Sequence, residues 1–304
     1  MNFAELLFPE FSLILCGYLL CRFTALDRTV WEQVDSLVYY FLFPLLLFHS
    51  IVRSPLQIGA TSSLIVAGLL LGLSGIAMAY ALPYVPGLRR HVDRTAHAGA
   101  AQVAFRFNSF LALALTERLV GAPGQLLIAV VIGFCVPMFN VAAVWPMARH
   151  GNTGLLRALL RNPLIVATVF ALFLNFAGFR VPAWGDPLLS RFGAAALVLG
   201  LMAAGAGLQF GELAASKVLT VSVLAIRHLL TPLVAWGLAV ALRLDATQST
   251  VLLLFSALPT ASSAYVLAAR MGYNGPYVAG LVTLSTLLGM LSLPFALALL
   301  NAPR

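Results

Sequence analysis

No Asp, Glu, Lys or Arg occurs between Arg53 and Arg89, a run of 35 residues. A run of 18 or more apolar residues without charge is the signature of a membrane-crossing helix, which needs about 20 residues to traverse a hydrocarbon core about 30 Å thick. This run is too short for two crossings and ends in the breaker string PYVPG, so it reads as one tilted helix plus a loop. Nine comparable stretches accompany it. The ten cover about 3–23, 35–52, 57–84, 96–117, 124–147, 162–179, 190–210, 217–242, 247–269 and 276–300. The sixth is the clearest, with no charge between Arg161 and Arg180. The expected fold is an all-α polytopic membrane protein with ten transmembrane helices.

Composition excludes the main alternatives. Of 304 residues, 61% are apolar and 9% charged, against about 25% charged in soluble domains. A soluble fold of this size would lack a polar surface. The net charge of +8 does not point to nucleic acid, because the basic residues are scattered between apolar runs. Cys16, Cys21 and Cys135 all fall in apolar stretches without metal spacing and read as small packing residues. Glu5 and Glu10 lie where a secretory signal would be basic, so the first stretch is expected to be a true first span.

Basic residues orient the chain. With the N-terminus outside, ten of the 18 Lys and Arg fall in cytoplasmic loops, six in outer loops or at the C-terminus, and Arg106 and Arg227 inside spans. The positive-inside rule therefore expects both termini on the outer face. The loop 149–161 divides the chain into residues 1–148 and 162–304, five stretches each. An odd number of crossings per half forces opposite orientations, the inverted-repeat plan of many secondary transporters. FNSFLALALTERLVGAPG at 107–124 and PTASSAYVLAARMGYNGP at 259–276 align at an offset of 152, matching Ala112 with Ala264 and Arg118 with Arg270. This places the fourth and ninth stretches in equivalent positions.

Those two stretches are also the least regular. Pro259 sits in mid-span, where it removes a backbone hydrogen bond, and Thr260, Ser262 and Ser263 follow it. Arg106, Asn108 and Ser109 lie near the centre of the fourth stretch. A charge at that depth costs about 2.5–3.5 kcal/mol on insertion scales and needs a partner or water. Interrupted helices at matching positions of two halves are the best sequence pointer to a transporter's site. Plainer readings stand beside these. Pro259 could simply kink a helix, since prolines are common in membrane spans, as Pro44, Pro137, Pro232 and Pro294 show here. Hydroxyls after a proline cap freed carbonyls. Asn108 could act as interhelical glue, and Arg106 could lock onto Glu10 or Glu117. Arg227, His228 and His49 form a candidate coupling or second polar site. Asn140 and Asn175 read as packing residues.

Basic groups lie deep in the spans while acidic ones sit near span ends, which favours an anionic solute over a cation. The coupling ion stays open. His49 or His228 could carry a proton, and carbonyls at helix breaks could hold sodium. No cofactor or metal set is indicated. No HExxH, paired intramembrane aspartates or Ser–His constellation points to an intramembrane enzyme. A channel remains a distant alternative.

FLFPLLLFHSI, FRFNSFLALALTERLVG, NPLIVATVFALFLNFAGFRVP, ALPTASSAYVLAARMGYNGP and LVTLSTLLGMLSLP occur in this order. Together they resemble the auxin efflux carrier family in its bacterial branch, which includes malonate-type carriers. The resemblance covers nearly the whole chain. It implies ten helices in two inverted five-helix repeats, with broken helices four and nine crossing at mid-membrane. It also implies a secondary transporter of small organic anions in a bacterial inner membrane. Carried over to matching positions, the crossing site is Asn108 and Ser109 with Pro259 and Thr260. The fourth stretch lacks the proline that plant members carry at this crossing. The main alternative of the same plan is a bile-acid-type sodium symporter. Expected partners are a small organic anion and the lipid bilayer, with a homodimer left open.

Overall fold

The computed structural model describes residues 3–53, 58–150, 163–207, 213–261 and 263–301. It is all-helical over these residues. Twelve helices follow in order: α1 (Phe3–Phe23), α2 (Arg28–Arg53), α3 (Ile58–Ala81), α4 (Arg94–Ala100), α5 (Ser109–Val120), α6 (Ala122–His150), α7 (Pro163–Phe176), α8 (Asp186–Ala206), α9 (Lys217–Ala241), α10 (Ala246–Ala257), α11 (Ser263–Arg270) and α12 (Gly275–Ala298). Helices α4 and α5 together make the fourth apolar stretch, and α10 and α11 the ninth.

Six spans are long and apolar enough to cross a membrane unaided: Arg28–Arg53, Ser62–Tyr84, Pro123–Met147, Asp186–Ala203, Lys217–Ala241 and Gly275–Asn301. The sequence reading expects ten. The fourth and ninth stretches are each divided in two, and of the sixth only Pro163–Phe176, α7, lies within the described residues.

Two helices carry a π-turn, and a proline explains each. Pro44 and Pro232 have no N–H to give the carbonyl four residues back. The preceding amides reach back five instead, Phe43 N–H to Val38 O in α2 and Thr231 N–H to Ile226 O in α9. Both helices therefore continue without a sharp break.

The helices sort into a panel and a bundle. In the panel, α1 packs along α8 and α2 along α7, with α8 also against α2. The first pairing is backbone-close. A Cβ on Gly17 would collide with the Met202 carbonyl, and one on Gly205 with the Ile14 carbonyl, so only glycine allows this approach. In the bundle, α3 packs on α6 and α9 on α12, while α5 meets α6 and α11 meets α12. An aromatic cluster fills the bundle centre. Phe107 meets Phe255 edge-on at 4.6 Å between ring centroids, and Phe139 stacks beyond them. Phe105 and Phe255, both 2% exposed, are the largest fully buried side chains. Large apolar side chains face outward instead on α7, where Val166, Val169, Phe170, Phe173 and Phe176 are all exposed. Outward apolar surface of this extent suits a lipid solvent.

Candidate functional site

The two interruptions meet at the bundle centre. In the fourth stretch, α4 tightens into a 3₁₀ turn over Ala101–Ala104, and the amides of Phe105 and Arg106 both return to Gln102 O at 3.3 and 2.9 Å. Asn108 then starts α5. Its Oδ1 accepts from the Leu111 amide at 3.1 Å, the bond an N-cap residue makes to the third helical position. A capping asparagine thus replaces the proline this stretch lacks.

In the ninth stretch, α10 stops at Ala257. Leu258, preceding Pro259, adopts an extended backbone (φ −57°, ψ 143°), as the proline ring requires. The ring lies against Gly289 of α12, where a Cβ would come within 2.6 Å of Pro259 Cγ. The carbonyls around the end of α10 are all taken. Arg227 Nη2 donates to Phe255 O at 3.1 Å and Nε to Leu258 O at 2.6 Å. Thr231 Oγ1 shares its one proton between Arg227 O at 2.6 Å and Ser256 O at 3.0 Å, and Ser292 Oγ donates to Ala257 O. The Pro259 carbonyl accepts the Asn108 amide of the opposite interruption at 2.8 Å. Thr260 closes the joint, with its hydroxyl on Val103 O at 2.6 Å and its amide on Ser285 Oγ at 2.9 Å.

His228 belongs to the same framework. Its Nδ1 lies 2.8 Å from Ser292 Oγ and its Nε2 2.8 Å from Ser285 Oγ. Ser292 spends its proton on Ala257 O, so it accepts from Nδ1–H. Ser285 accepts the Thr260 amide, which leaves its own proton for Nε2. This count assigns a neutral imidazole protonated at Nδ1.

Arg106 is held differently. It is 6% exposed, donates from Nη1 to Gln102 Oε1 and from Nη2 to Ser263 Oγ, both at 3.0 Å, and forms no ion pair with a carboxylate among the described residues. Glu117, one candidate partner, is exposed and accepts from Gln125. The side chain of Glu10, the other, lies outside the described residues. Gln102 is itself pinned by amide bonds to Gly99 O and, across the joint, to Ala264 O. Beside Arg106 lies a cavity of about 20 Å³, lined also by Ser109, Ser263, Ala261, Asn140 and Phe43, room for one water. Asn140, 2% exposed, has an amide Nδ2 with no hydrogen-bond partner among the described residues.

The structure therefore brings Arg106, Ser109 and Ser263 to one cavity and Asn108, Pro259 and Thr260 to the joint behind it. Ser262 lies outside the described residues, as does 151–161 of the connecting loop. Arg227 and His228 sit together on α9 and serve the end of α10. His49 is not with them. It sits near the end of α2, 2.9 Å from Asp186 Oδ1, which Arg53 also approaches at 3.6 Å. Sequence reasoning passed over Gln102 and Gly289, and read Asn140 as a packing residue. The signal for Gln102 was its place four residues before Arg106. Asn140 showed only as one polar residue in an apolar run.

Residues 146–297 match the protein family described as membrane transport protein. Among relatives, an uncharacterized transporter from Methanothermobacter thermautotrophicus is 24% identical over 301 residues, covering 97% of each chain.

Proposed function

The chain belongs to the membrane transport protein family, the auxin efflux carrier family, and from that premise we propose that it moves a small organic anion across a bacterial inner membrane by alternating access, with Arg106 as the anion's anchor. It is a polytopic integral membrane protein and a transporter rather than an enzyme.

Ten spans in two inverted repeats, 1–148 and 162–304, account for the helix pairing. Exchanging the first stretch with the sixth and the second with the seventh turns the α1–α8 contact into the α7–α2 contact. The same exchange turns α3–α6 into α9–α12 and α5–α6 into α11–α12. Both termini then lie on the outer face, as the basic residues favour.

The observation that carries the substrate class is Arg106. A buried cation held only by neutral side chains recovers part of its desolvation cost through hydrogen bonds but has no counter-charge, which an incoming carboxylate supplies. The starts of α5 and α11, at Ser109 and Ser263, add positive helix ends, and the idle Asn140 amide adds a donor. The cavity is too small for any carboxylate substrate, and its wall on the α2 side is Phe43. Since α2 belongs to the panel and Arg106 to the bundle, movement of one against the other is the step that admits substrate.

Counterflow in proteoliposomes tests this reading. Vesicles preloaded with malonate or another small carboxylate should accumulate external label, and Arg106→Gln vesicles should not. Absence of counterflow for every carboxylate tried, or a C-terminal reporter fusion that behaves as cytoplasmic, would contradict it. A strict sodium requirement would move the assignment to the sodium-symporter plan.

A further inference from the structure

A second and larger cavity opens along the same seam. It holds about 480 Å³ and lies between α2 and the α11–α12 pair, lined by Arg28, Glu32, Asp35, Tyr265 and Arg270 among others. Two of its polar contacts bridge panel and bundle. Tyr265 of α11 donates its hydroxyl proton to the Asp35 carboxylate of α2. Arg270 donates to the Tyr40 hydroxyl and, at 3.4 Å, to Ser36 Oγ.

The charges of this cleft divide unevenly. Arg28 and Glu32 pair at 3.6 Å on one face of α2. Arg28 also donates to Ala206 O at 3.0 Å and lies 5.2 Å from the Tyr265 ring centroid. Arg270 sits 4.7 and 5.4 Å from the ring centroids of Tyr40 and Tyr39. Asp35 is half-buried and forms no ion pair among the described residues. When Asp35 is ionised, its partner is the neutral Tyr265 phenol. The charged and titratable groups facing it are Arg28 and Glu32 from its own helix and Tyr265 and Arg270 from α11. With Asp35 ionised, two arginines and two carboxylates balance. With Asp35 protonated, the cleft carries one net positive charge.

We infer that Asp35 is the group that takes up a coupling proton, and that its bond from Tyr265 is the latch this proton releases. A hydrogen bond to a carboxylate is roughly twice as strong as one to a neutral group. Protonation therefore weakens the one acidic tie seen between α2 and α11 among the described residues. Ser263, which holds Arg106, is two residues before Tyr265 on α11, so a freed α11 displaces a wall of the anion cavity. The proton adds to a carboxylate oxygen, and the charge it uncovers is matched by one anionic group of the substrate. By linkage each ligand then strengthens the other, so anion affinity rises as pH falls. This coupling rests on the anion reading above, and the experiment separates the two.

Nitroxide labels at Gln33→Cys and Ala269→Cys, in protein whose Cys16, Cys21 and Cys135 are replaced by Ser, report the cleft width in nanodiscs by electron–electron double resonance without substrate. Acidification should lengthen the distance in the parent protein. Asp35→Asn should show the long distance at every pH, Tyr265→Phe should lengthen it at alkaline pH, and Glu32→Gln should keep the parent's pH response. A parent distance that ignores pH overturns the inference. So does a response that survives Asp35→Asn or disappears with Glu32→Gln. Calorimetry with pyruvate and oxalate, which stay ionised across the range, should show affinity rising up to about tenfold per unit fall in pH, the limit for one linked proton, and flat in Asp35→Asn. A pH-dependent distance that needs Asp35, with no carboxylate bound at any pH, would support the latch and overturn the anion reading instead.

Discussion

Arg227 and Arg106 are both buried at the helix interruptions, and they meet the cost of burial in opposite ways. Arg227, 3% exposed, gives its guanidinium to the Phe255 and Leu258 carbonyls at the end of α10. A cation there also complements the negative end of the helix. Arg106 follows α4 but turns away from its carbonyls toward Gln102 and Ser263, beside a cavity and an idle asparagine amide. The first arginine completes the architecture. Neither has a carboxylate partner among the described residues, but only the second borders a cavity into which a ligand's charge could come. Depth in an apolar span therefore does not by itself mark a site; the nature of the partners does.

The largest effect should come from Arg227→Gln. It leaves the Phe255 and Leu258 carbonyls unpaired in a lipid-surrounded core, where each unsatisfied group costs several kcal/mol. The protein should lose its monodisperse peak in size-exclusion chromatography or melt far below wild type, while Arg227→Lys falls between. A Gln variant as stable as wild type would erase the contrast between the two arginines. Asn140→Asp sharpens it from the other side. A carboxylate beside Arg106 supplies the missing counter-charge from within the protein. Carboxylate binding should weaken about 10- to 100-fold, the worth of a charged hydrogen bond, while thermal stability rises. Loss of stability with affinity intact would place Asn140 in packing.

Smaller effects probe the joint. Gly289→Ala drives a methyl into the Pro259 ring and should cost about 1–3 kcal/mol, measured by thermal denaturation. The cost should shrink once Pro259→Ala removes the ring atoms, so additivity in the double variant would deny the contact. Asn108→Leu removes the α5 cap, worth about 1 kcal/mol, and should reduce transport more than expression.

The sequence carried much of this arrangement. The apolar run ending in PYVPG marks α3 within a few residues, because length and hydropathy set a membrane helix without tertiary help. Pro259 and the Arg106–Asn108 pair stood out because local chemistry forbids an ordinary helix or penalises a charge there. Residues whose roles come from juxtaposition did not stand out. Asp35 and Tyr265 are 230 positions apart. Asn140 looks like any interhelical amide until Arg106 is placed near it. Gly289 is unremarkable in sequence, and only the proline ring against it explains the missing side chain. His49 stood with Arg227 and His228 as a candidate coupling or second polar site, yet it pairs with Asp186, far from them in sequence. The two π-turns needed a rule about the amide before each proline.

The central claim, that Arg106 holds an organic anion, is tested most directly by the thermal stability of purified wild type and Arg106→Gln against a panel of mono- and dicarboxylates, with and without sodium. The account predicts that at least one carboxylate raises the wild-type melting temperature without sodium, that matched cations and neutral analogues do not, and that Arg106→Gln remains folded but loses the shift. An equal shift in Arg106→Gln, or no carboxylate shift in wild type, would contradict it.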